Sequence, residues 1–147
     1  MSLPSSVLFC CDHNSVRSPM AEGLLKQHIG NRVYVQSAGV ASDRDIDGFS
    51  ISVCAEVGVE LTKHKVRSFQ ELAEWGEDLE GYDLIIALSS TSANVAREFT
   101  ADAAVDVEFW DIADPTATGE TREAKLDAYR AIREDIQKRI TKRFPLL

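Results

Sequence analysis

Cysteine is scarce in this chain: Cys10, Cys11 and Cys54 are an odd number, and two of them are adjacent. Neighbouring Cα atoms lie about 3.8 Å apart, closer than an unstrained disulfide prefers. A disulfide scaffold is therefore disfavoured, while a free thiol with chemistry of its own stays open. Long apolar runs are missing too. The longest, Leu84-Ile85-Ile86-Ala87-Leu88, falls far short of the roughly 20 residues a bilayer span requires. No basic run exceeds Lys63-His64-Lys65, and 24 acidic against 16 basic side chains leave a net charge of −8. That balance argues against a nucleic-acid partner, and any anionic ligand must be held by a local positive site. The segment Met1–Ser6 shows no cationic stretch leading into an apolar run, so no secretory signal is visible and a cytoplasmic location is expected. His13, His28 and His64 do not combine with cysteine pairs at zinc-site spacing, so neither metal nor cofactor is expected. No repeat, low-complexity tract or Pro/Gly/Ser linker divides the chain, which reads as one domain over residues 1–147. Its 44% hydrophobic content is enough to bury a core.

Four apolar runs alternate with segments long enough for helices, the pattern of a parallel α/β sheet. The strands are expected at Val7–Cys10, Arg32–Gln36, Asp83–Leu88 and Ala104–Phe109, all short and rich in β-branched or aromatic residues. Met20, Ala21, Leu24, Leu25 and Ile29 mark a first helix, with Ser18 as cap, Pro19 at its first position and Gly30 at its end. Further helices are expected over Gly48–Val57, Ser68–Leu79 and Thr91–Phe99. A long last one carries Leu126, Tyr129, Ile132, Ile136 and Ile140 on one face. Trp75 and Trp110 read as core residues. In such sheets ligands bind at the carboxyl ends of the strands.

Between the first strand and first helix stands Cys11-Asp12-His13-Asn14-Ser15-Val16-Arg17-Ser18-Pro19. Backbone N–H groups of such a turn and the helix N-terminus converge on the oxygens of an anion, and the helix dipole adds to them. Arg17 can add a planar fork to two of those oxygens. A thiol at the same positive focus, here Cys11, loses its proton more readily and becomes a nucleophile toward a bound phosphorus atom. Cys10, one residue earlier on the strand, points the opposite way and reads as packing, as does Cys54.

With these residues in view, the chain resembles the low-molecular-weight protein tyrosine phosphatases, whose fold also serves a group of arsenate reductases. The likeness rests on Val7-Leu8-Phe9-Cys10-Cys11, Asn14, and Arg17-Ser18-Pro19-Met20-Ala21-Glu22. It continues through Gln36-Ser37-Ala38-Gly39, Gly58 to His64 with Arg67, Tyr82 to Leu88, and Asp114-Pro115, in the family's order and over nearly the whole chain. The resemblance implies a three-layer α/β fold, with a four-stranded parallel sheet of order 2-1-3-4 and helices on both faces. It implies that Cys11 attacks phosphorus, that Arg17 binds the equatorial oxygens, and that Asp114 protonates the leaving group and then activates water. Asp111 is the competing carboxyl by position. Asp12, His13, Asn14, Ser15, Val16 and Ser18 then form the substrate-binding loop, with the Ser18 hydroxyl stabilising the thiolate. Asn14, Ser37 and His64 match a network that holds the loop in shape.

The loop departs from the family pattern where Asp12 and His13 replace a small or apolar pair, and Asp12 is expected to face outward at the mouth. Ser15 stands where tyrosine-directed members have an aliphatic residue and arginine-phosphatase members have Thr. Val16 replaces a second loop cysteine, an acidic residue common in the family is missing at Ser89-Ser90, and no aromatic pair follows Asp114-Pro115. The expected activity is metal-independent hydrolysis of a phosphomonoester through a phosphocysteine, on a phosphoprotein or a small phosphorylated molecule, phosphotyrosine-like or phosphoarginine. The alternatives are arsenate reduction with an external thiol, since Leu84–Phe99 holds no cysteine, and a non-catalytic oxyanion-binding module.

Overall fold

The computed structural model describes residues 3–146; Met1 and Ser2 of the segment read for a leader lie outside them. Four strands, β1 (Ser6–Cys11), β2 (Tyr34–Gly39), β3 (Leu84–Ala87) and β4 (Asp106–Phe109), pair in parallel in the order β2-β1-β3-β4. Five α-helices accompany them: α1 (Arg17–Ile29), α2 (Gly48–Ala55), α3 (Phe69–Glu74), α4 (Ser90–Phe99) and α5 (Arg122–Arg143). The architecture and strand order are those the resemblance implied. No helix among the described residues is long and apolar enough to cross a membrane.

Because side chains alternate along a strand, β1 feeds two cores. Val7, Phe9 and Cys11 face α1, α2 and α5, in a cluster with Leu24, Leu25, Cys54, Tyr129, Ile136 and Ile140. Leu8 and Cys10 face α3 and α4, with Phe69, Leu72, Ile85 and Ala96. The alternation thus sends the two adjacent thiols to opposite sides of the sheet. Trp110 closes the first core with its ring centroid 6.0 Å from that of Phe9. Trp75, expected in a core, is instead 60% exposed; it follows the last residue of the six-residue α3, beyond the reach of the sheet. Helix starts are set by side chains: Asp47 accepts from the N–H groups of Phe49 and Ser50, Ser68 and Glu71 form a reciprocal capping box, and Thr121 accepts from Ala124.

Two local expectations are corrected. β2 starts later than Arg32 and runs to Gly39, because Gly30–Arg32 winds a 3₁₀ turn and the small residues Ser37-Ala38-Gly39 continue the ladder opposite Phe9, Cys10 and Cys11. Ser18 does not cap α1. That helix begins at Arg17 behind Val16 with no side-chain cap, and the Ser18 hydroxyl is engaged elsewhere.

Candidate functional site

β1 and β3 deliver their carboxyl ends to one place, and the turn from Cys11 to Arg17 sits there. Its backbone is tied to the segment after β2: Val40 N–H donates to Cys11 O (3.1 Å), Ala41 N–H to Asp12 O (2.9 Å) and Asp47 N–H to Ser15 O (3.1 Å). The Ser15 hydroxyl donates to Asp45 O at 2.7 Å. Gly39 permits this approach. A Cβ on it would stand 2.7 Å from both Ala41 O and Asn14 N and 2.8 Å from the His13 carbonyl carbon. With α1 uncapped, its first-turn N–H groups remain free of side-chain acceptors at the open end of the turn.

Asn14 is the keystone. It is fully buried, and its φ of 55° makes it the one described non-glycine residue in the left-handed region, which Asn tolerates better than most. Its Nδ2 donates to Ser18 Oγ and Ser37 Oγ, both at 2.9 Å. Its Oδ1 accepts from Arg67 N–H and from His64 Nε2, both at 3.0 Å. An amide oxygen only accepts, so His64 carries its proton on Nε2. Burial lowers the proton affinity of His64, and the Arg67 and Lys26 charges act the same way, together outweighing the raising effect of Glu22. Ser18 Oγ, already an acceptor from Asn14, lies 2.9 Å from Cys11 Sγ and has its own proton free to donate there. With the Ser18 hydroxyl donating to a thiolate, the donors run in one direction, from His64 and Arg67 through Asn14 and Ser18 to the sulfur, an arrangement in which each bond polarises the next.

Two members of this network match the family in sequence but have no role assigned there. Glu22, 7% exposed, accepts from Ser37 Oγ (2.5 Å), Lys26 Nζ (2.6 Å) and Arg67 Nη2 (3.2 Å). Arg67 also reaches Ser37 O at 2.9 Å and Gln36 Oε1 at 2.7 Å. Glu22 had a signal: it shares a helical stripe with Ser18, Leu25 and Ile29, where a carboxylate needs buried partners. Arg67 had only the family match, because a loop residue carries no periodic pattern.

Cys11, His13, Ser15, Val16, Arg17, Arg44, Asp114 and Thr116 line one small cleft. Arg17 is buried, with Nη1 donating to Ile112 O (2.9 Å) and Leu88 O (3.4 Å). Asp114 faces the same cleft, whereas exposed Asp111 lends only its carbonyl, to Arg139 at 3.4 Å. Both carboxylates are exposed, and only Asp114 lines this cleft. Burial pushes the Asp114 carboxyl up, but the Thr116 N–H (3.0 Å) and hydroxyl, with the Arg17 and Arg44 charges, hold it below its ordinary range. At the rim His13 Nδ1 meets Asp43 Oδ1 at 2.7 Å. Arg44 is a further rim residue the sequence reading missed. Asp12 stays out of the cleft lining with a side chain 37% exposed, as an outward orientation requires, but it does not stand free at the mouth. It turns aside to Ser89 Oγ (2.6 Å) and to Arg17 Nη2 (3.6 Å), because α4 presents a hydroxyl donor there. The other two thiols stand apart: burial pushes Cys10 up, and Cys54 up to about 12.

Known proteins share this arrangement of chain. The model of the family "Low molecular weight phosphotyrosine protein phosphatase" matches residues 6–145. An arsenate reductase of Halalkalibacterium halodurans is 28% identical over 134 residues, covering 91% of each chain. The low molecular weight protein-tyrosine phosphatase A of Mycobacterium bovis is 32% identical over 112 residues, 71% of this chain and 64% of that one. The solved low molecular weight protein tyrosine phosphatase of T. tengcongensis superposes with a TM-score of 0.78 at 26% identity, covering 97% of this chain and 99% of that one. A family match over nearly the entire length, on a sheet of the same strand order, places this chain in the low molecular weight phosphotyrosine protein phosphatase family.

Proposed function

We propose that this chain is a cysteine-dependent phosphatase that hydrolyses phosphomonoesters through a phosphocysteine on Cys11. The observation that carries the reading is the chain of hydrogen bonds that runs from His64 and Arg67 through Asn14 and Ser18 to Cys11 Sγ, in a cleft that also holds Arg17 and Asp114. A thiolate so supported is a nucleophile with its charge already stabilised.

In the first step the Cys11 sulfur forms a bond to phosphorus while the bond to the leaving atom breaks, the ester oxygen of a phosphomonoester or the guanidinium nitrogen of phosphoarginine, and that atom takes a proton from Asp114. Arg17 and the N–H groups at the start of α1 hold the phosphoryl oxygens through the charge-dispersed transition state. In the second step the Asp114 carboxylate removes a proton from water, whose oxygen attacks phosphorus; the S–P bond breaks, leaving phosphate and the thiolate. In the resting chain Asp114 is held as a carboxylate. A phosphoryl dianion brought beside a thiolate raises its proton affinity, so Asp114 takes up its proton together with the substrate. At the rim His13, Ser15, Arg44 and Thr116 are all polar, which favours a phosphorylated group of polar character, phosphoarginine included, over a stacked aryl ring.

The arsenate reductases among the relatives support a second reading, in which Cys11 attacks arsenic and external thiols supply two electrons, leaving as a disulfide. With Cys10 and Cys54 buried away from the cleft, no second thiol of this chain is placed to resolve the adduct.

The test is p-nitrophenyl phosphate hydrolysis from about pH 5 to 8 without added metal, for the parent, Cys11→Ser and Asp114→Asn, alongside arsenate reduction with glutathione. Turnover abolished by Cys11→Ser and lowered about 100-fold or more by Asp114→Asn is expected. Folded parent protein that binds phosphate but hydrolyses nothing overturns the phosphatase reading, and glutathione-dependent arsenite formation would replace it.

A further inference from the structure

Asp12 stands inside the loop that holds the anion, yet its side chain is absent from the cleft lining. Its two oxygens are divided between neighbours. Oδ2 lies 3.6 Å from Arg17 Nη2, and Oδ1 accepts from Ser89 Oγ at 2.6 Å. Ser89 in turn caps α4, accepting from Ser92 N–H at 3.2 Å, so the carboxylate also lies at the positive end of a ten-residue helix. The Arg17 guanidinium is thereby bounded on two sides. Nη1 is committed to the carbonyls of Ile112 and Leu88, and Nη2 faces Asp12. Nε and the remaining Nη2 proton are the donors left for a ligand.

From this junction we propose that Asp12, seated by Ser89, is a positioning residue for Arg17: it fixes the guanidinium for the transition state and offsets part of its charge, so that product phosphate is not held too tightly. The inference rests on the reading of Arg17 as the oxyanion-binding group. Two consequences of opposite sign separate it from a structural role. Removing the carboxylate frees the guanidinium to rotate, which costs most where geometry is strictest, in the transition state. It also takes a negative charge away from the anion site, which strengthens ground-state binding of phosphate. General damage to the loop would weaken both.

The experiment compares the parent with Asp12→Ala, Asp12→Asn, Arg17→Ala and the double variant Asp12→Ala/Ser89→Asp. It measures kcat on p-nitrophenyl phosphate and the Kd of inorganic phosphate by calorimetry, with thermal melts to show that each variant folds. Asp12→Ala is expected to lower kcat at least tenfold while tightening phosphate several-fold, and Asp12→Asn to move both in the same directions by less. Aspartate is a good helix cap, and from position 89 its carboxylate can enter the space beside Arg17. The double variant is therefore expected to recover kcat to within about threefold of the parent and to reverse the tightening. Parent-like kcat and Kd in Asp12→Ala, or loss of both without recovery in the double variant, overturns the proposal. Should Asp12→Ala fail to fold, Asp12→Asn with parent-like constants overturns it equally. Phosphate binding that survives Arg17→Ala would instead overturn the reading of Arg17 on which the proposal rests. If the parent shows no turnover, tightening of phosphate in Asp12→Ala and its reversal in the double variant still decide.

Discussion

Truncating Asn14 to alanine is the sharpest probe of the network around the loop. The side chain is fully buried and makes four hydrogen bonds. Ser18 and Ser37 keep other partners when it goes, but His64 Nε2–H and Arg67 N–H lose their acceptor. Each stranded buried donor costs roughly 1–3 kcal/mol. An alanine held at the φ of 55° adds roughly 1–2 kcal/mol of backbone strain. The expected loss is about 3–8 kcal/mol, a large share of the roughly 5–15 kcal/mol that holds a domain together. Asn14→Gly removes the same hydrogen bonds without the strain, so it is expected to be about 1 kcal/mol more stable than Asn14→Ala. Urea denaturation of all three proteins at pH 7, comparing midpoints and slopes, measures both differences. A loss below about 1 kcal/mol for Asn14→Ala, or a glycine variant no better than the alanine one, would refute the account.

Gly39→Ala is expected to cost about 2–3 kcal/mol and to weaken inorganic phosphate binding at least tenfold, because every atom its Cβ would strike is backbone; a melt and a calorimetric titration check this. The pH dependence of stability should carry the imprint of His64. Its proton affinity in the folded chain lies below the ordinary value of 6.5, so the unfolded chain binds the extra proton. Its contribution is therefore present above about pH 6.5 and is lost as pH falls toward the folded value. Urea midpoints between pH 7.5 and 5 are expected to decline for the parent and to decline less for His64→Gln, whose amide can still donate to Asn14.

What the sequence disclosed follows from how local each determinant is. β1 and β3 were legible because buried parallel strands must be continuously apolar, and α5 because Leu126, Tyr129, Ile132, Ile136 and Ile140 keep a helical period. The end of β2 was not. Ser37-Ala38-Gly39 has little intrinsic preference for a strand, and small residues are needed there because the loop backbone presses against them. Ser18 followed by Pro19 carries the local signature of a helix start, yet the tertiary demand of Cys11 and Asn14 takes the hydroxyl instead. The same holds for Asp12, whose orientation is decided by Ser89, 77 positions away. The loop could be found by spacing; the partners of its side chains come from β2, residues 43–45, residues 64–67, residues 88–89 and Ile112, which no local spacing connects to it.

The stitching of the turn to the segment after β2 separates two jobs that many binding loops combine. Main-chain bonds from Val40, Ala41 and Asp47, with the buried amide of Asn14, set the path of the backbone, while the side chains at 13, 15, 44 and 116 line its rim, the Ser15 hydroxyl adding one bond to Asp45 O. A scaffold so divided can be diversified. A library randomised at those four positions should contain many folded proteins that retain phosphate binding and differ in the group attached to the phosphorus, whereas one randomised at 14, 37 and 39 should contain almost none. On the proposed reading, the architecture makes substrate range the readily varied property and the oxyanion cradle the fixed one.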